Sequence, residues 1–526
     1  MKSDIHKSAE LFMERFPALG LMMGTWEPKE APSEAIPPIH VDTEDLLYFY
    51  GLREEVYFQC KEWLQQPDKR LVFLEDEPGI IASFLHRPAA VEILSHPGVH
   101  IELLGDLTQL AQKFPVRRIA VAGPLSKKKL RRIRLELLRK TALAYGLHID
   151  RLHGYQIFRN WIRNLTHVPG SFYANGLKGA FPNVPAVVCG AGPSLAPTIE
   201  TLRTLENRAL IIAGGSTLAA LSSRGIMPHF GMAVDPNVEE YHRFRNSFAF
   251  DVPLLYSTRV HPDIFRTCNG PFGYMRSGIG GIPELWMEEE LGLLDPLIGD
   301  VIAPETISVT SFAIAFAQFL GCNPILLNGI DMAYTGGARY APGVVDHANV
   351  VLDAPATSAL DCLVRKKDRN GKRVYSAVRW VMESASISHF AKQHKAVQFL
   401  NTTSGGIGFK GIDYVPLEEA VSSFPEQNLR EQVFAHIAAC QMPAHAADKI
   451  KGLLKELRQS LERLIAALEI LAGEKKGSKA LAELEIEEEM ATLFLFYDVR
   501  QILKSGLTFW PSWLELARRY AHMFRS

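Results

Sequence analysis

Charge of one sign is not in excess: 57 basic against 58 acidic residues leave a formal net charge of −1, so no global field draws in nucleic acid. Cysteine is scarce and scattered. None of Cys60, Cys189, Cys268, Cys322, Cys362 and Cys440 stands in a Cys-x-x-Cys pair, which argues for buried thiols in a reducing compartment, the cytoplasm, and against a metal centre or a disulfide framework. Long apolar runs are missing too. The longest, Ile307 to Leu327, is broken by Ser308, Thr310, Ser311, Gln318, Asn323 and Pro324, and reads as a buried helix followed by a strand, not as a membrane span. The first residues, Met1-Lys-Ser-Asp-Ile-His, carry charges with no apolar stretch behind them, so no secretory signal is expected. No Gly-Lys-Ser/Thr occurs, which excludes a Walker-type loop.

What the chain does have is length and a glycine turn. Its 526 residues predict two or three domains. Near the middle, Ala186 to Cys189 reads as a buried strand, and Gly190, Ala191, Gly192, Pro193 and Ser194 turn it into a helix beginning near Leu195. Glycines there permit close backbone approach, and free N–H groups at a helix start favour a phosphate or carboxylate. A dinucleotide site would want a third glycine near position 195 and an acid at the end of the next strand. Position 195 is Leu, and the next strand, Ala209 to Ala213, ends in Gly214-Gly-Ser-Thr217. Small and hydroxyl residues at both ends leave room for a nucleotide's sugar and base.

Residues 1 to about 40, rich in proline, read as a loosely packed arm. Tyr48 to Leu64 reads as a helix, with strands at Arg70–Asp76, Val99–Leu104 and Arg117–Ala122, a small open α/β sheet. A cation-dense helix, Ser126 to Tyr145, and another, Tyr155 to Leu165, lead through a Gly/Pro-rich passage into the central domain. Tyr173-Ala-Asn175 within that passage reads as a lid or as linker. Asp235 ends the strand Phe230–Asp235 on the rim of the glycine turn, and reads either as a turn initiator before Pro236 or as a ligand or metal group. Gly270 to Gly281, with five glycines, reads as a mobile loop. Thr310 and Ser311 lie near the start of a helix, where an anion could again be met. The strand Pro324–Asn328 delivers Asn328, Gly329 and Asp331 to the same rim. Lys366 to Tyr375 reads as a hairpin, and the strand ending at Leu400 runs into a third hydroxyl- and glycine-rich turn with Thr403, Gly405 and Gly406. Past Pro416 the composition becomes helical. The expected division is an α/β domain over 1–165, a central nucleotide-sugar-binding domain over 166–415, and a helical domain over 416–526.

Gly190-Ala-Gly-Pro-Ser-Leu195, Gly225-Ile-Met-Pro-His-Phe-Gly-Met-Ala-Val-Asp-Pro236 and Leu320-Gly-Cys-Asn-Pro-Ile-Leu-Leu-Asn-Gly-Ile-Asp-Met-Ala-Tyr-Thr335 resemble the central domain of the motility-associated factor (Maf) glycosyltransferases, also described as 6-hydroxymethylpterin diphosphokinase (MptE)-like. The Thr-x-Gly-Gly passage at Thr403 to Gly406 resembles the family as well. The resemblance implies a Rossmann-like, sialyltransferase-like fold and a CMP-linked pseudaminic or legionaminic acid as donor, transferred to Ser or Thr of flagellin. Where the family commonly has a His this chain has Tyr340, so His347 is the candidate general base, with Asp235 and Asp331 beside it. The donor's phosphate is expected on the Gly190–Ser194 turn, near Gly214, Thr310 and Ser311, and its base near Asn328 and Asp331. No resident cofactor is expected for that reaction. Two other readings stay open: a pterin pyrophosphokinase using ATP and Mg²⁺, held by Asp235, Asp331 or Asp346, and a nucleotide-sugar-binding scaffold without catalysis. The expected partners are the donor and an acceptor protein.

Overall fold

The computed structural model describes residues 2–32, 36, 38–41, 44–105, 107–114, 118–152, 154–302, 308–344, 363–495 and 510–524, with backbone alone at 2–5, 142–152, 493 and 495. Its contacts form two compact units, one of residues 1–148, 354–364 and 377–379, the other of 149–353, 365–376 and 380–526.

The first unit is a four-stranded parallel sheet of β1 (Leu46–Tyr50), β2 (Arg70–Glu75), β3 (Val99–Leu103) and β4 (Ile119–Ala122), in the order β3-β2-β1-β4. The helix expected from Tyr48 is displaced: Leu-Leu-Tyr-Phe-Tyr forms the central strand, Gly51 breaks it at φ 92°, and the helix is Glu54–Cys60. A run of apolar and aromatic side chains buried on both sheet faces has no amphipathic period for a sequence reader to catch. The first part of the expected arm is not loose. Lys2–Arg15 is a helix whose Phe12 is buried with Phe49, Phe73 and Ile93, and Arg15 donates to the carbonyls of His96 (2.8 Å) and Val99 (2.7 Å).

The second unit holds eight parallel strands: β5 (Phe172–Tyr173), β6 (Ala186–Cys189), β7 (Leu210–Gly214), β8 (Phe230–Ala233), β9 (Leu254–Tyr256), β10 (Phe272–Tyr274), β11 (Ile325–Asn328) and, after the hairpin β12 (Leu363–Lys367) and β13 (Arg373–Ala377), β14 (Phe399–Asn401). Their order is β14-β11-β6-β7-β8-β9-β10-β5. From β6 the chain steps outward to β10, then returns to lay β11 on the other side of β6. The order therefore reverses between β6 and β11, and the crevice past the strands' carboxyl ends at such a point is where open parallel sheets bind ligands.

Alternation along each strand divides the core between the two faces. Val188, Ile212 and Phe230 pack with Phe312 and Phe316 of the Val309–Phe319 helix, whereas Val187 and Ile211 face Leu202, Leu221 and the C-terminal helices. There Ala446–Leu471 presents Leu453, Leu457, Leu461, Leu464 and Leu468 as one stripe at helical spacing, so the helical region past 416 shares this unit's core. The glycine-rich segment expected as a mobile loop contains β10. A Cβ at Gly273 would lie 2.3 Å from the Phe172 ring, and one at Gly270 2.4 Å from the Val252 carbonyl oxygen, so these glycines serve close packing. Tyr173, Ala174 and Asn175 are buried, and Asn175 donates to the carbonyls of Arg276 and Pro296 at 2.9 Å, which makes them part of the sheet edge and not a lid. Among the described residues no helix is long and apolar enough to cross a membrane.

Candidate functional site

At the reversal point the chain leaves β6, β11 and β14 through three turns that interlock. Gly190 N–H donates to Asn328 O and Gly192 N–H to Gly329 O, both at 2.8 Å. Ser194 donates to the Asp331 carboxylate twice, from its amide at 3.2 Å and its hydroxyl at 2.7 Å, and its hydroxyl oxygen accepts Gly405 N–H at 2.9 Å. Thr403 Oγ1 accepts Ile330 N–H at 3.1 Å, and Asn328, fully buried, donates to Thr198 Oγ1 at 2.9 Å. A Cβ on Gly192 would stand 2.2 Å from an Asp331 oxygen, one on Gly190 2.7 Å from Gly329 O, and one on Gly406 1.9 Å from Asp331 O.

The amides expected to hold an anion are thus committed within the protein. Asp331 occupies the place at Ser194, and Ala191 supplies the turn's one amide with no partner among the described residues. The helix expected from Leu195 is also different. Pro193–Thr198 is a 3₁₀ turn and only Ile199–Arg203 is α-helical, because Pro197 lacks an N–H and its ring opposes the carbonyl four residues back. Burial pushes the Asp331 carboxyl above its ordinary value, with hydrogen bonds from neighbouring hydroxyls holding it part-way back.

Two strands over from β6, past the end of β8, a second carboxylate is buried. Glu240 lies in the Val238–Arg245 helix, which Asn237 caps by accepting the Glu240 N–H at 3.0 Å. Its side chain is 1% exposed; Oε2 accepts from Arg243 at 3.2 Å, and Oε1 has no hydrogen-bond partner among the described residues. The carboxyl faces the start of the Gly215–Ser222 helix, where a Cβ on Gly215, at φ 45°, would lie 3.2 Å from Oε2. Burial, then the negative charge of Asp235, push the Glu240 carboxyl up to about 8 against the pull of Arg243. Asp235 itself is half-buried at the end of β8. Tyr340 lies within electrostatic range of Arg243, and Ala341 N–H donates to Ala191 O at 2.8 Å, so one loop reaches both the glycine turn and the Glu240 group.

The third helix start repeats the pattern. Ser308 caps Val309–Phe319 by accepting Ser311 N–H at 3.0 Å, Ser311 Oγ accepts Ser308 N–H at 2.8 Å, and the Ser308 hydroxyl donates to buried Glu383. Thr310 is half-exposed one residue inside this start. Gly214, at the end of β7, makes room for it: a Cβ there would lie 2.0 Å from a Val309 methyl carbon. A buried carboxylate therefore stands at each of three element starts along one edge. Such an edge supplies groups able to carry a proton.

Of the residues expected at the site, Gly190 to Ser194, Asn328, Asp331, Thr403, Gly405 and Gly406 come together around β6, β11 and β14; Asp235, Gly214, Thr310 and Ser311 line the neighbouring exits of β7 and β8 and the helix start above them. His347 and Asp346 lie outside the described residues. Glu240, Arg243 and Glu383 escape a sequence reading. Glu240 sits three residues after its cap, where a glutamate is ordinarily read as half of a capping box. A polar stripe escapes it too: Gln156, Asn160 and Asn164 of the Gly154–Asn164 helix are spaced four apart. Gln156 and Asn160 donate to Pro236 O (3.0 and 2.9 Å), Asn160 also to Arg259 O (3.0 Å), and Asn164 to Thr258 O and Val260 O (2.8 and 2.7 Å). That helix fixes the loops after β8 and β9.

Residues 159–337, about a third of the chain, match the family model of 6-hydroxymethylpterin diphosphokinase MptE-like proteins. The match takes in the glycine turn, Asp235, Glu240 and Asp331, so the central domain carries the MptE-like pattern that its motifs resemble. No curated protein matches the chain in sequence. Among solved structures, the Maf glycosyltransferase from Magnetospirillum magneticum AMB-1 is similar at 15% identity, with a TM-score of 0.45, over 100% of this chain and 95% of that one.

Proposed function

We propose that the crevice transfers a nonulosonic acid, of the pseudaminic or legionaminic type, from a CMP-activated donor to a Ser or Thr hydroxyl of an acceptor protein. Flagellin is the acceptor that the Maf resemblance implies. The observation that carries this reading is Glu240: a buried carboxyl with one unpartnered oxygen, poised near neutral pH beside a cation, at the sheet edge where parallel folds bind their ligands. In the reaction, the acceptor oxygen forms its bond to the anomeric carbon and gives its proton to Glu240 in its ionised form, the minor one at pH 7 because burial raises the carboxyl. The bond from that carbon to the phosphate oxygen breaks, and CMP leaves with the electron pair. Arg243 and the helix start at Thr310 receive the developing charge. Asp331 holds the Ser194 turn in place, with Asp235 tuning Glu240. His347 is the second candidate for the base. The reaction asks for no resident cofactor.

The family description favours a second reading, pyrophosphate transfer from ATP to a hydroxymethylpterin. That reaction would need Mg²⁺ to neutralise phosphate charge, and Asp235 and Asp331 would be the carboxylates to hold it. Thermal shift separates the readings. A rise with CMP in the presence of a chelator supports sugar transfer; a rise with ATP that needs Mg²⁺ supports the pyrophosphokinase. CMP binding with no turnover of any CMP-nonulosonic acid would leave a nucleotide-sugar-binding scaffold. At CMP a hundredfold above its Kd the stabilisation is about 2.7 kcal/mol, several degrees in Tm.

A further inference from the structure

Away from the crevice but within the same unit, a groove of about 1000 Å³ opens between the Gly154–Asn164 helix, the loop after β9, the Ala446–Leu471 helix and the chain's last helix, Trp510–His522. Its charge is lopsided. Arg159, Arg163, Arg266, Lys455 and Arg458 line it, with Asp263 as the one lining acid among the described residues. These cations are exposed. Arg266 is committed to Asp263 at 3.5 Å and Arg458 to Glu462 at 3.0 Å, whereas Arg159, Arg163 and Lys455 make no ion pair among the described residues. In a chain of net charge −1, such a local excess marks a surface shaped for one kind of partner.

The rest of the lining narrows the chemistry. Tyr155, Ile162, Pro262, Leu454 and Phe524 give the groove an apolar floor between the cations. Tyr155 is packed at 5.0 Å against Tyr520 and covered by Arg519 at 4.9 Å, so it is not a free platform for stacking bases. The cations come from three elements and are spread along the groove, as suits a string of carboxylates better than one phosphate group. We propose that this groove binds an acidic segment of a partner protein, in an extended stretch where Asp or Glu alternates with aliphatic side chains: carboxylates meet the arginines and aliphatic groups cover the floor.

Packed side chains link the groove to the crevice. His261, just before Pro262, stacks at 5.2 Å on Tyr241, the neighbour of Glu240. If the crevice glycosylates a protein, the segment held in the groove belongs to that acceptor; this last step rests on the proposed function, and the docking itself does not.

The test is fluorescence anisotropy of a short fluorescein-labelled peptide of alternating Asp and Leu, titrated with the full chain at low and at physiological salt. Binding is expected, weakening as salt rises, with no binding of the matching Asn/Leu peptide. Arg159→Glu with Arg163→Glu, and separately Arg458→Glu on the other helix, should each weaken it about tenfold or more, with Tm and the CMP-induced thermal shift unchanged. No binding by the parent chain, parent-level binding by both groove variants, or a single-stranded oligonucleotide of equal charge binding more tightly than the peptide would each overturn the proposal. A lost CMP shift with peptide binding intact would count against the crevice and leave the groove standing.

Discussion

Gly190 and Gly192 take no left-handed backbone angles, so they are present for space: each stands where a Cβ would meet the exit of β11. Their spacing is plain in the sequence, and so is the turn they make. What the spacing cannot tell is whether the freed amides look outward to a ligand or inward to Asn328, Gly329 and Asp331, since Asp331 is 137 residues from Ser194. Gly190→Val should cost roughly 1–3 kcal/mol or more in urea unfolding, because the clash is with backbone that cannot swing away. Unchanged stability would contradict the interlocked turns. Glu240 gives a prediction of opposite sign. Its folded-state carboxyl titrates above the ordinary value, so as pH rises the unfolded chain loses this proton first, and the folded state loses relative stability between about pH 4.3 and about 8. Glu240→Gln removes that penalty. The variant should be level with the parent near pH 4 and more stable by about 0.5–2 kcal/mol at pH 8, as read from denaturant midpoints at each pH; a gain independent of pH would refute the buried-acid assignment.

Among the elements, the Gly154–Asn164 helix does the least expected work. Its apolar face was legible from Phe158, Trp161 and Ile162, but the Gln156, Asn160 and Asn164 stripe could equally have been a solvated face. Only the fold reveals that loop carbonyls lie opposite it. Asn164 is fully buried and serves two of them. Asn164→Ala should therefore cost about 2–4 kcal/mol, two carbonyls being left without a donor, and should disturb ligand binding through the loops after β8 and β9; a loss under 0.5 kcal/mol would contradict this. Strand β1 has no period to read, β5 lies in a Gly/Pro-rich passage that reads as linker, and the glycines around β10 read as mobility. In each place the deciding fact is a neighbour distant in sequence, such as Phe172 filling the space over Gly273. The strands β6, β7, β8 and β11 were legible because each is a short, mostly apolar run ended by glycine or a polar turn.

At the scale of the whole molecule, the two units each bury their own sheet and core, which predicts separable unfolding. Phe73→Ala, at a fully buried position of β2, should lower one calorimetric transition by an amount equivalent to about 3–5 kcal/mol and leave the other in place; a single transition shifting as one would show the units to be cooperative. The parallel, doubly wound character of the second unit was visible in the alternation of short strands and helices, and the rim was located from it. The chemistry of the rim was only half visible, since Asp235 and Asp331 end strands and Glu240 does not. The most direct measurement of the central claim is the single-turnover release of CMP from CMP-pseudaminic and CMP-legionaminic acid, with a protein acceptor, as a function of pH. The account predicts a rate that rises with pH through a midpoint near 8 and levels off above it, and that falls by about 10²–10⁴ in Glu240→Gln while CMP still raises that variant's Tm. A Glu240→Gln variant with the parent's rate and pH profile would contradict it.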